Sequence, residues 1–132
     1  MKLLNKKYLT LSLLFLFIFS ISLNAQNKLV QVGKGSWYGK TFHGKRTASG
    51  EHYNMYECTA AHPTLPFNTI VKVTNLRNNR SINVRINDRG PYHGKRIIDL
   101  SYYAAKQLGY ARKGFAKLKI KVLSKHSRHK RR

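Results

Sequence analysis

The chain has 132 residues, with 26 Lys and Arg against 4 Asp and Glu, for a formal net charge of +22. That length holds one small domain, and a hydrophobic fraction of 42% is enough to fill one core. Carboxylate chemistry is confined to Glu51, Glu57, Asp88 and Asp99, while a lone Cys58 excludes an intramolecular disulfide framework and a cysteine-based zinc cluster.

Residues 1–7 carry Lys2, Lys6 and Lys7, residues 8–23 are apolar and uncharged, and Asn24-Ala25-Gln26 follows. A basic start, an apolar run and a small boundary residue predict a signal peptide over 1–25, cleaved after Ala25. The apolar run is also only slightly short of a spanning helix, so an uncleaved anchor is the competing reading. No cysteine stands near the cut, so no lipid anchor is expected. Export places the chain in the periplasm or cell envelope, or outside the cell. There its charge draws it to wall polymers, anionic lipid headgroups or lipopolysaccharide; nucleic acid is not the expected partner.

Residues 26–32 read as a short polar lead, and 33–123 as one domain. Val71-Lys72-Val73-Thr74 and Ile82-Asn83-Val84-Arg85-Ile86 alternate as strands do, and the Asn-rich segment 75–79 between them predicts a hairpin. Gly90-Pro91 and the Pro63/Pro66 pair mark turns. Ser101 is the expected N-cap of a helix over 102–108, with Gly109 as its stop. Ala116, Leu118, Ile120 and Val122 alternate with lysines, predicting a strand with one buried and one lysine-coated face. Residues 124–132 are basic and polar and read as a disordered tail. Several strands, one helix and no internal repeat point to a small all-β barrel.

Asp88 ends a strand pattern and precedes a Gly-Pro turn, which puts it at a rim where catalytic groups gather. An Asx-type turn cap would explain it equally well. Glu51 follows Ala-Ser-Gly in a loop and can be an exposed glutamate paired with a basic neighbour. His62 suits either a packing role or the orientation of a carboxyl group. Trp37 and Tyr38 can stack on a sugar face or fill the core. Arg89 can bind a substrate carboxylate or hold Asp88 ionised; the second role opposes proton donation by Asp88, so Arg89 is expected to point elsewhere. Glu57, Asp99 and Cys58 are assigned to structure, with Asp99 tying backbone amides near the helix start and Cys58 buried. His43, His52 and His93 form no close-spaced ligand pair, so neither a metal nor a cofactor is expected.

An ordered series of segments carries a resemblance: GSWYG at 35–39, FHGKRTASGE at 42–51, TAAH at 59–62, LPFNT at 65–69, VKVTNL at 71–76, NDRGP at 87–91 and IDLS at 98–101. Together they resemble the RlpA (rare lipoprotein A) family of lytic transglycosylases, over about residues 33–123. The resemblance implies a six-stranded double-psi β-barrel with one or two short helices, the fold shared with expansins. It implies non-hydrolytic cleavage of peptidoglycan glycan strands, leaving 1,6-anhydro-muramic acid ends, by a monomer with Asp88 and Glu51 catalytic and His62 beside them. A non-catalytic, expansin-like wall-binding module is the alternative. Many members also carry a lipidation cysteine and a C-terminal SPOR domain. Neither is expected here, which leaves septal targeting open.

Overall fold

The structure, a computed structural model, describes residues 5–11 and 30–124. The expected signal segment and lead therefore fall largely outside the described residues, as does the tail from 125 onward. The described part of the larger unit, 31–124, is built from short strands in which every second side chain points inward.

Six strands form in chain order: β1 (Val30–Tyr38), β2 (Thr59–Ala61), β3 (Ile70–Asn75), β4 (Ser81–Asp88), β5 (Arg96–Ser101) and β6 (Phe115–Ser124). They close into a barrel in the order β1-β5-β2-β4-β3-β6. Pairs β1–β5 and β2–β4 are parallel, whereas β2–β5, β3–β4 and β3–β6 are antiparallel. The fold is a six-stranded double-psi β-barrel with two short helical segments, a 3-10 turn at Lys40–Phe42 and a helix at Tyr102–Gln107. Closure satisfies the backbone groups that an open sheet would leave at its edges.

The hairpin expected around 75–79 is β3–β4, with Val71 opposite Val84 and Val73 opposite Ile82. Val71, Val73, Val84, Ile86, Ile98, Leu100, Leu118 and Ile120 are fully buried and form the core. On β6 the lysines 117, 119 and 121 face solvent while Leu118 and Ile120 point inward, as the alternation requires. Ser101 caps the helix: its Oγ accepts from the Ala104 amide at 3.3 Å and donates to the Glu57 carbonyl at 2.5 Å. Gly109 follows in the left-handed region (φ +80°), where a side chain would be strained, and the helix stops.

The structure corrects several local expectations. β1 begins at Val30, inside the segment read as a polar lead. β2 is only three residues, all buried, so it offered no alternation to read. Asp99 does not tie backbone amides; it accepts from Ser36 Oγ at 2.7 Å and pairs with Arg96 at 3.0 Å. Cys58 is half-buried.

Leu100 sits where β5 meets both β1 and β2, opposite Trp37 and Ala60. Leu100→Ala should cost about 3 kcal/mol of unfolding free energy, measured by urea denaturation, because three strands lose a shared contact and the barrel wall cannot collapse onto the void.

Candidate active site

Parallel pairing of β2 with β4 brings the exit ends of both strands together, with Ala61 opposite Asp88. The backbone locks this corner: the His62 N–H donates to the Asp88 carbonyl at 3.2 Å. Over it folds the tight loop 47–51. The Thr47 amide and hydroxyl both donate to the Glu51 carbonyl, at 2.7 and 3.0 Å, and the Gly50 amide donates to the Thr47 carbonyl at 3.0 Å. Gly50 takes a φ of +90°, which glycine adopts without a Cβ penalty.

That loop holds both candidate carboxylates. The Ala48 amide donates to Asp88 Oδ1 at 2.9 Å, and the Arg89 amide donates to the same oxygen at 2.8 Å. Asp88 is half-buried, and its Oδ2 makes no hydrogen bond among the described residues. Three residues beyond Ala48, Glu51 forms a two-pronged ion pair with Arg85, at 2.6 and 2.9 Å, and accepts from Asn87 Nδ2 at 3.3 Å. The Arg85 guanidinium holds the Glu51 carboxyl below the usual carboxylate range; partial burial opposes this and Asn87 adds to it. Glu51 is thus kept ionised at neutral pH. Asp88 has no guanidinium partner among the described residues.

Arg85 and Asn87 are the functional neighbours that the sequence reading missed. The available signal was their i, i+2 spacing, which puts two polar side chains on one face of β4 just before Asp88. Asn87 is buried; its Oδ1, like Tyr38 Oη and Thr59 Oγ1, has no hydrogen-bond partner among the described residues.

Three expectations change on this geometry. The His62 ring does not face Asp88. Its Nδ1 accepts the amides of Thr64 and Leu65, at 3.1 and 3.0 Å, so the imidazole shapes the 62–65 turn. Burial first, and Arg89 second, lower its pKa to about 4, so it is neutral and acts on Asp88 through its backbone amide. Arg89 points away from the Asp88 carboxylate, as expected. Its Nη1 donates to the Leu65 carbonyl at 2.8 Å and its guanidinium lies over the Phe67 ring at 4.0 Å, so it braces the neighbouring loop. Trp37 donates its indole N–H to the Ala111 carbonyl at 3.0 Å and tilts against Tyr102 at 5.2 Å, so its ring is packing. Tyr38 lies against Tyr53 with ring centroids 4.2 Å apart, and Tyr53 Oη donates to the Tyr38 carbonyl. Burial, then the nearby Asp88, push the Tyr38 phenol far above its ordinary range. Its hydroxyl is a neutral group beneath the site, and its ring is not an open sugar platform. Among the described residues no three His, Cys, Asp or Glu side chains converge as a metal site.

Two carboxylates of unlike environment thus stand at one rim of a double-psi barrel. Comparison with known proteins gives the family: residues 30–120 match the model described as lytic transglycolase, and the chain belongs to that family. It is similar to the endolytic peptidoglycan transglycosylase RlpA of Pseudomonas aeruginosa, at 57% identity over 89 residues (67% of this chain, 26% of that protein). The RlpA of Neisseria meningitidis is 51% identical over 100 residues (76% of this chain, 42% of that protein). The chain therefore spans between about a quarter and two fifths of the length of these relatives. Among solved structures, a Streptomyces papain inhibitor superposes with TM-score 0.59 at 24% identity, covering 72% of this chain and 94% of that one. A mutant Clavibacter michiganensis expansin in complex with cellohexaose superposes with TM-score 0.58 at 13% identity, covering 72% and 50%. Those two likenesses concern the fold.

His62 is neutral when folded but titrates near 6.5 when unfolded, so acid favours the unfolded chain. Stability should fall as pH drops from 6.5 toward about 4 and lose no more to this group below that. His62→Asn should flatten the upper part of this decline, from pH 6.5 down to the carboxylate range, in denaturation curves taken at successive pH values.

Proposed function

We propose that the domain cleaves peptidoglycan glycan strands as a lytic transglycosylase, without water. The bond broken is the β-1,4 link from N-acetylmuramic acid to N-acetylglucosamine. The observation that carries this reading is the 47–51 loop, which holds Asp88 through an amide and Glu51 through its own chain. Two carboxylates of different character are thereby kept within one loop turn.

Asp88 is the proton-transfer group. In its protonated form, Oδ2 gives a proton to the departing glucosamine oxygen as the glycosidic bond breaks. The same oxygen, now a carboxylate, takes the proton from the muramic acid 6-hydroxyl as that oxygen bonds to C1. A 1,6-anhydro ring results, and Asp88 is protonated again. Glu51, held ionised by Arg85, stabilises the positive charge that builds up at C1. The chain's own requirement for the reaction is thus one carboxyl group that can exchange a proton and one that cannot. We further propose that it works as an exported monomer in the periplasm or cell envelope, on the strength of the basic-apolar-small pattern over 1–25.

A second reading is a wall-binding module that does not cut. It is favoured by the tight Glu51–Arg85 pair, which leaves that carboxylate partly neutralised. Digestion of purified peptidoglycan, followed by mass spectrometry for anhydro-muropeptides, separates the two: the products appear for a transglycosylase and are absent for a binder.

Asp88→Asn should keep the amide hydrogen bonds to Oδ1 and remove the transferable proton. Cleavage should fall by about 10²–10⁴-fold with sacculus binding largely retained. Arg85→Met should release Glu51 to protonate at higher pH. The acid limb of the pH–rate profile should then move upward, measured by anhydro-product release across pH 3–7.

A further inference from the structure

At the opposite end of β4 from Asp88, a separate cleft opens. Seven strand steps at about 3.3 Å each put it roughly 23 Å from Asp88. It has a volume of about 430 Å³ and lies between the β3–β4 turn and the 109–117 segment leading into β6. Its walls are fixed by the backbone. Asn75 and Asn78 both donate to the Leu108 carbonyl, at 2.9 and 3.0 Å, and the Leu76 amide donates to the Lys117 carbonyl at 3.1 Å. Three cationic side chains line it, Arg77, Lys113 and Lys117, all exposed. None of them pairs with a carboxylate among the described residues. The four carboxylates are all elsewhere: Glu51 on Arg85, Asp99 on Arg96, Asp88 on backbone amides and Glu57 beside Asn54.

Phe115 stands at the lip, 44% exposed, with the Lys113 ammonium 5.4 Å from its ring centre and the Lys34 ammonium 4.4 Å away. The ring's electron-rich face gathers two lysines that would otherwise repel each other. Behind it a second hollow of about 380 Å³ shares Phe115 and Lys117 with the first. The result is a concave, wholly cationic end of the barrel with a partly apolar wall.

We propose that this cleft is a binding site for a phosphate group, distinct from the glycan-cleaving site and independent of whether that site cuts. Several unpaired cations around one cavity match a group that carries close to two negative charges and three acceptor oxygens. A carboxylate offers one charge and two oxygens and would leave the remaining cations unmatched. The group is a terminal phosphate, which a phosphatidic acid headgroup or the end of a soluble polyphosphate chain can supply, and the cleft's chemistry is the same for both.

The full chain is titrated with inorganic pyrophosphate, and with acetate at equal ionic strength, while backbone amide shifts are followed by NMR. Pyrophosphate should move the amides of 75–80 and 109–117 and leave those of 47–51 in place. The triple variant Arg77→Gln/Lys113→Gln/Lys117→Gln should weaken binding by about tenfold or more. A charge-matched control, Lys72→Gln/Lys119→Gln/Lys121→Gln on the exposed barrel wall, should change it far less. Far-UV circular dichroism establishes that both variants keep the barrel. Equal weakening by the two variants would overturn the site and leave only a general effect of net charge. Equal shifts with acetate would overturn its phosphate character. Cleft-dependent sedimentation with phosphatidic acid vesicles would assign the phosphate to a lipid headgroup. Cleft-dependent binding of soluble inorganic polyphosphate without vesicle binding would assign it to a polymer.

Discussion

The parallel pairing of β2 with β4 is the constraint on which the site depends. Two parallel strands put their exit ends side by side, so Asp88 meets the Ala61–His62 corner and is anchored there through its own carbonyl. In a simple up-and-down barrel, the neighbours of β4 would both run antiparallel to it and present entry ends at this rim. The crossover that this parallel pairing requires is the segment between β2 and β4, which contains β3, while a long connection from β1 precedes β2. That connection contains the 47–51 loop, which reaches back over the end of β4. The parallel pairing supplies the anchored aspartate, and the β1–β2 connection supplies the loop that carries the glutamate.

Electrostatics then divides the labour. Only four acidic residues oppose a large excess of Lys and Arg, so an unassigned carboxylate would be captured by whichever cation lies nearest. Glu51 is captured, by a guanidinium with the planar fork that a carboxylate prefers. Asp88 escapes capture because its one adjacent arginine is occupied elsewhere. Arg89 bonds to the Leu65 carbonyl and lies over Phe67, so the residue best placed by sequence to neutralise Asp88 serves the neighbouring loop instead. His62 contributes to the same arrangement without titrating near neutral pH, since its ring holds the turn that carries Leu65.

Much of this was legible in the residues. The β3–β4 hairpin, the lysine-coated β6 and the Ser101-capped helix were readable because each rests on local periodicity or a single cap. β2 and β5 were not: Thr59–Ala61 is buried on every side, and buried strands lose the alternation that identifies them. The candidate carboxylates were legible by elimination, there being so few, and by the ordered motifs around them. Their partners were not, because Arg85 and Glu51 are 34 residues apart and meet only through the closed sheet.

The sequence by itself determined a small basic all-β domain, its hairpin, its helix and the short list of residues able to move a proton. Those properties depend on composition and on neighbours within a few positions, where backbone preference and side-chain period act directly. The tertiary structure alone decided which carboxylate is held ionised, which arginine is spent on a loop, and that Trp37, Tyr38 and His62 serve packing. Each of those outcomes depends on groups from different strands or loops competing for the same hydrogen bonds and the same buried space. That competition exists only once the barrel has closed.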